Sequence, residues 1–414
     1  MNIYLLIILS ILLIDYWLDL AIDYLTLRHV QPELPEEFHG YYDLDKYRRS
    51  QEYLKANTYF GVISNTFFTV FTIVFILAGG FSWVDRLARS FHFAPLVTGL
   101  IFAAILLLVF QLLEIPFSLY DTFVIEEKYG FNKTTAKTFV QDILKGWFLT
   151  ALLGGLAFAL MISFFGALGK GAWLYVWLAL TVLQLFITFI APVTILPLFN
   201  KFIPLEAGPL RDAIETYAAA QEFKIQGIYT MDGSRRSTKS NAFFTGFGRY
   251  RRIVLFDTLI AKHTVPELVA VLAHEVGHFK KKHILRQTAL SILVSGVTFY
   301  LLSWFINNPG LFAAFRVEEL SIYASLFFFG FLFAPINLVL SVCGKYLSRR
   351  YEYEADAYAV ATYRNAEAMI SALKKLSVDN LSNLTPHPFK VALYYTHPPV
   401  LERIKAIRKL EEKL

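Results

Sequence analysis

His274-Glu275-Val276-Gly277-His278 is the stretch from which the rest of this chain can be read. Residues four apart on a helix lie one turn apart on one face, so two imidazoles at this spacing can grip a single zinc ion. The glutamate after the first histidine reaches the open, water-filled position, where a hydrolase keeps its general base. Pro266 falls in the first turn of such a helix, where its missing N–H costs nothing. Lys280, Lys281 and Lys282 close it as a basic cap, favourable at the helix's negative end and at a membrane surface. Met alone, the pattern also fits a helix with two surface histidines.

Glu352-Tyr353-Glu354-Ala355-Asp356, in the helix-prone run 348–360, supplies what the first motif lacks. A zinc hydrolase with two histidine ligands needs a third protein ligand, often a carboxylate from another helix. Glu352 and Asp356 again sit one turn apart on one face. One can bind metal while the other takes the free N–H of a ligating histidine and fixes its tautomer. Glu354 lies about 160° further round the helix from Glu352, which makes it the weaker ligand candidate.

The composition puts this machinery in a membrane. Hydrophobic residues make up 56% and charged residues 17%, with a mean hydropathy of +0.48. Seven stretches are long and apolar enough to span a bilayer: 3–21, 58–80, 95–117, 147–168, 173–199, 288–306 and 321–342. The first does not read as a cleavable signal, because Asp15 and Asp19 interrupt it and no basic residue precedes it. The single cysteine, Cys343, excludes an internal disulfide framework and fits a site facing a reducing compartment.

Lysine and arginine orient the chain. Segments 22–57, 118–146, 200–287 and 343–414 hold 35 of the 39, and the three alternate segments hold the other four. That asymmetry predicts the N-terminus outside and both metal motifs on the cytoplasmic side. Anionic lipid headgroups are the expected partner of the net charge of +6. Nucleic acid is not an expected partner, since the basic residues are spread over every cytoplasmic segment. Four regions follow: 1–199 with five spans, 200–287 with the first motif, 288–342 with two spans, and 343–414 with the second.

Segment 200–287 reads as a small folded unit. A helix is expected over 210–222 behind Gly208-Pro209, and strands over 223–231, 241–247 and 251–256. A strand beside the motif helix, beginning at Asn241 and Ala242, offers a peptide an edge to pair with, which would hold its backbone across the zinc.

At this point the chain resembles a known family over nearly its whole length, the type I CAAX prenyl proteases. The resemblance rests on the segments 123–133, 240–246 and 252–258, on both metal motifs, and on 395–403, which contains Thr396-His397-Pro398-Pro399. It implies a mainly α, polytopic membrane fold with seven transmembrane helices in a ring around a large water-filled chamber. It further implies a cytoplasmic zincin-like domain with a small β-sheet. The implied zinc ligands are His274, His278 and Glu352, with Glu275 as base and Asp356 behind a ligand histidine. His397 would sit over the metal and stabilise the oxyanion, and Asn241 and Ala242 would hold the substrate backbone. A water-filled interior would also accommodate Glu114, Asp15 and Asp19, which are costly against lipid.

The expected function is therefore an integral-membrane zinc metalloendopeptidase with one Zn²⁺ per chain, acting on peptide or protein substrates, lipidated ones included. The end of the sequence, Glu411-Glu412-Lys413-Leu414, carries no dilysine signal, so a bacterial inner membrane is expected in preference to the endoplasmic reticulum. A channel, transporter or scaffold with a structural zinc is the rival reading. Such sites are closed by four protein ligands, usually including cysteine, and here three are visible. An aspartyl protease built on Asp15 and Asp19 would have both acids on one span, whereas that chemistry usually joins two segments.

Overall fold

Hydrophobic runs longer than a bilayer is thick leave the backbone no partner but itself, and here each of them is helical. The computed structural model describes residues 2–245 and 252–413, a mainly helical chain with one small mixed sheet. Six helical runs are long and apolar enough to cross a membrane: Ile3–Arg28, Leu44–Leu77, Pro95–Glu126, Ala136–Phe199, His283–Phe305 and Ile322–Tyr363. The count is six rather than seven because the expected spans 147–168 and 173–199 share one run of 64 residues. Straight, that run would extend roughly 96 Å, about three bilayer cores. It folds at Gly169, whose φ of +57° suits glycine, and Phe164 stacks on Tyr175 across the fold. The apolar windows of the six runs bury 6–28% of their residues.

The lysine- and arginine-rich segments converge at one end. Arg408 and Lys374 both meet Glu37 at 2.6 Å, Lys239 meets Glu126 at 2.8 Å, and Arg236 grips Asp142 with two bonds of 2.7 and 2.9 Å. Two of the basic-poor segments meet elsewhere, where Arg89 pairs with Glu319 and Phe81, Phe312 and Phe315 share a core. Asp19, costly if it faced lipid, accepts from Asn65 Nδ2 at 3.1 Å and from the Tyr394 hydroxyl.

Two helices carry the metal motifs. The motif helix, Val265–Lys280, opens with a capping box: Thr264 and Glu267 satisfy each other's backbone N–H, with Pro266 beside them. The long helix, Ile322–Tyr363, has 42 residues and extends roughly 63 Å. About half of that spans a bilayer, and the rest carries Glu352 and Asp356 beyond it. The two helices approach closely at Gly277, where a Cβ would come within 3.0 Å of the Ala355 carbonyl oxygen. The region boundaries expected at 287/288 and 342/343 fall inside His283–Phe305 and Ile322–Tyr363, because a spanning helix need not stop where lipid ends.

Against the motif helix lies a sheet ordered β1-β2-β4-β3, with β1 Phe202–Pro204, β2 Gly227–Met231, β3 Ala242–Thr245 and β4 Arg252–Phe256. β2 and β4 run parallel; the outer pairs are antiparallel, with Ala242 opposite Leu255. The strand expected from 223 begins only at 227, because Glu222 turns the chain with a positive φ and Phe223 enters the core instead. The preceding helix is Pro209–Ala220. Residues 246 and 247 of one expected strand, and Arg251 of the next, lie outside the described residues.

Candidate metal centre

Helical phase brings His274 and His278 to one face of the motif helix, and the long helix lays Glu352 against them. His274 Nε2 is 3.1 Å from His278 Nε2 and 3.4 Å from Glu352 Oε2, while His278 Nε2 is 3.3 Å from Glu352 Oε1. A tetrahedral zinc with bonds of 2.0–2.1 Å separates its donors by about 3.3–3.4 Å, so these spacings fit one ion. Glu352 Oε2 is buried with no hydrogen-bond partner. Such an atom is costly in an apolar setting unless a cation is close, and Arg403 Nη1 at 3.4 Å meets it outside hydrogen-bonding geometry. His274, His278 and Glu352 could thus hold one metal ion.

Asp356 sits behind His274. The His274 Nδ1–H donates to Asp356 Oδ1 at 2.8 Å, which leaves the Nε2 lone pair directed at the metal position. Burial works against the Asp356 charge, but the Arg403 guanidinium and His274 hold its pKa down to about 2. Arg403 donates to both Asp356 oxygens, at 2.8 and 2.6 Å, and its Nη1 lies 3.4 Å from Glu352 Oε2. Burial also pushes the Glu275 carboxyl upward, a push that the nearby His274 and His278 oppose. A carboxyl raised toward neutrality suits proton transfer.

His397 lies at the mouth of the site, its side chain 64% exposed, with Nε2 3.4 Å from Glu352 Oε1. Its loop follows the short helix Pro388–Tyr394, whose terminal carbonyls accept from Arg349 and Lys345 of the long helix. His397, Arg403, Asn241 and Asn380 line one cleft of about 610 Å³. Asn241 precedes β3, an edge strand among the described residues, and Ala242 packs partly buried on the core beneath. Glu354 points away from the metal position, toward His283, Arg286 and Arg350.

Arg403 and His283 carry contacts at the site that neither metal motif announces. Arg403 had a readable signal: it shares the buried face of Val400–Glu411 with Ile404 and Ile407, where a lone arginine needs an acid. Replacing it with leucine should leave two buried carboxylates without their cation and cost about 3–5 kcal/mol. Thermal unfolding of the metal-free variant checks this; a melting temperature equal to that of the unchanged protein would contradict it.

The chain matches known proteins over nearly its whole length. Residues 23–201 match the CAAX prenyl protease N-terminal region with five membrane helices, and residues 204–411 match peptidase family M48. The chain belongs to the type I CAAX prenyl protease family. It is 37% identical to "Probable CAAX prenyl protease 1" of Schizosaccharomyces pombe, an alignment spanning 88% of this chain and 80% of that one. It is 32% identical to a human CAAX prenyl protease 1 homolog, over 94% of this chain and 90% of the relative. The crystal structure of S. mikatae Ste24p superposes with a TM-score of 0.93 at 31% identity, covering 98% of this chain and 99% of that one. This CAAX prenyl protease relative is a multi-pass membrane zinc metalloprotease acting on peptide or protein substrates.

Proposed function

We infer that His274, His278 and Glu352 bind the catalytic zinc, and that Glu275 is the general base for peptide-bond hydrolysis. The observation that carries this reading is the buried Glu352 carboxylate, whose Oε2 faces His274 Nε2 and whose Oε1 faces His278 Nε2 at tetrahedral spacing. When bound, the ion acidifies water to a pKa near 7 and polarises a carbonyl. Glu275 takes the proton of the attacking water and delivers it to the leaving amine nitrogen. Asp356, held by Arg403, keeps the His274 proton on Nδ1.

Asn241 and Ala242 open the strand edge along which the substrate backbone lies, running past His397 in the shared cleft. His397 donates to the oxyanion. Because its side chain is mostly exposed, His397→Ala should lower kcat by about 10²–10³ while zinc content and melting temperature stay unchanged. A lower melting temperature with intact activity in the folded fraction would instead make it a turn residue.

The same reading assigns 1–199 and 288–342 to the membrane part and 200–287 and 343–414 to the protease part, on the cytoplasmic side with the N-terminus outside. The convergence of basic segments at the site's end supports this orientation. The low burial of the spans supports a hollow ring. A bacterial inner membrane is the proposed setting, without nucleic acid as a partner. The relatives' name supports lipidated peptides among the substrates. The test is the purified chain in a bilayer disc with a prenylated CAAX peptide and its unprenylated twin. Cleavage that a chelator stops and zinc restores is expected, faster for the lipidated peptide; equal rates would remove the lipid preference.

A further inference from the structure

Behind His278, on the side away from the metal position, stands a chain of groups that the zinc motif does not name. His278 Nδ1 lies 3.0 Å from His283 Nδ1, and His283 Nε2 lies 3.1 Å from Glu354 Oε2. His283 is 1% exposed, and its ring stacks on Tyr351 with centroids 4.3 Å apart and planes within 10°. A break between helices puts it there: Lys282 adopts a φ of +59°, and the next helix starts at His283. Glu354 also has Arg350 Nε 3.3 Å from Oε1 and Arg286 Nη1 3.7 Å from Oε2, the oxygen that His283 meets.

The inventory of donors and acceptors fixes the direction of this chain. A carboxylate only accepts, so His283 Nε2 carries the proton and neutral His283 presents a lone pair at Nδ1. His278 Nδ1 must then be the donor to it. That leaves the His278 lone pair on Nε2, which faces His274 Nε2 and Glu352. The opposite order would put a proton on His278 Nε2, where no metal could bind.

We propose that His283 and Glu354 are a positioning relay that locks His278 in its metal-binding tautomer, as Asp356 does directly for His274. The proposal rests on the reading of His278 as a zinc ligand. One ligand imidazole is oriented by a carboxylate, and the other by a carboxylate acting through a second imidazole. Glu354 thereby has a task without touching the metal.

The test measures the zinc Kd of the purified full chain by competition with a chelator, beside the melting temperature of the metal-free protein. His283→Leu removes the acceptor and should weaken zinc binding about 10–100-fold, the usual loss when an outer partner of a ligand goes. His283→Gln, whose side-chain oxygen can accept from His278 Nδ1–H, should recover most of that loss. Glu354→Ala should weaken binding in the same direction. Unchanged affinity in folded His283→Leu, or an equal loss in the leucine and glutamine variants, overturns the relay. If His283→Leu does not fold, Glu354→Ala decides, and unchanged affinity there overturns it. His278→Ala separates this proposal from the site reading. Zinc retained in that variant rejects His278 as a ligand, whereas zinc lost there and kept in the relay variants rejects the relay alone.

Discussion

Glu275→Gln should keep one zinc per chain and the fold while peptide hydrolysis falls by about 10²–10⁴, the usual worth of a positioned acid–base group. The amide has the same shape and cannot take a proton, so the change isolates proton transfer from metal binding. Neither Asp356 nor Glu352 depends on Glu275 for a hydrogen bond, and both keep Arg403. Single-turnover rates and elemental zinc analysis on one preparation decide the matter. Undiminished cleavage with full zinc would remove Glu275 as the base, and lost zinc would make it a ligand.

Glu352→Ala should all but abolish zinc binding, a larger loss than the roughly 10–100-fold typical of an outer partner. It deletes the one carboxylate that, among the described residues, faces both His274 and His278. The metal-free fold should survive, because Arg403 keeps its two bonds to Asp356. Chelator competition on this variant and on Glu354→Ala gives an ordering. A greater loss in the Glu354 variant would mean that the metal position lies on the other side of the long helix.

What the sequence reveals here, it reveals locally. Two histidines four apart and two acids four apart need only helical phase to be read, and the structure sets both histidines and Glu352 facing one point, with Asp356 behind His274. Hydropathy locates the apolar runs, because length and composition suffice for that. It does not say where the helices end. The long helix leaves the apolar zone with no break in helix-forming residues, so its composition changes while its backbone does not. β1 escapes notice because three residues ending in Pro204 give no alternation to read. Arg403 and His283 work through contacts with residues 47 and 71 positions away, Asp356 and Glu354, and such pairings exist only once the helices have packed. Glu354 shows the limit of phase as an argument. Its angle round the helix turns it from the metal position, yet not that it finds a partner in the next helix.

The most direct test of the central claim is anomalous diffraction at the zinc edge from the zinc-loaded chain. A single strong peak is expected about 2.0–2.2 Å from His274 Nε2, His278 Nε2 and a Glu352 oxygen. A peak elsewhere, or one ligated by Glu354 in place of Glu352, would contradict it.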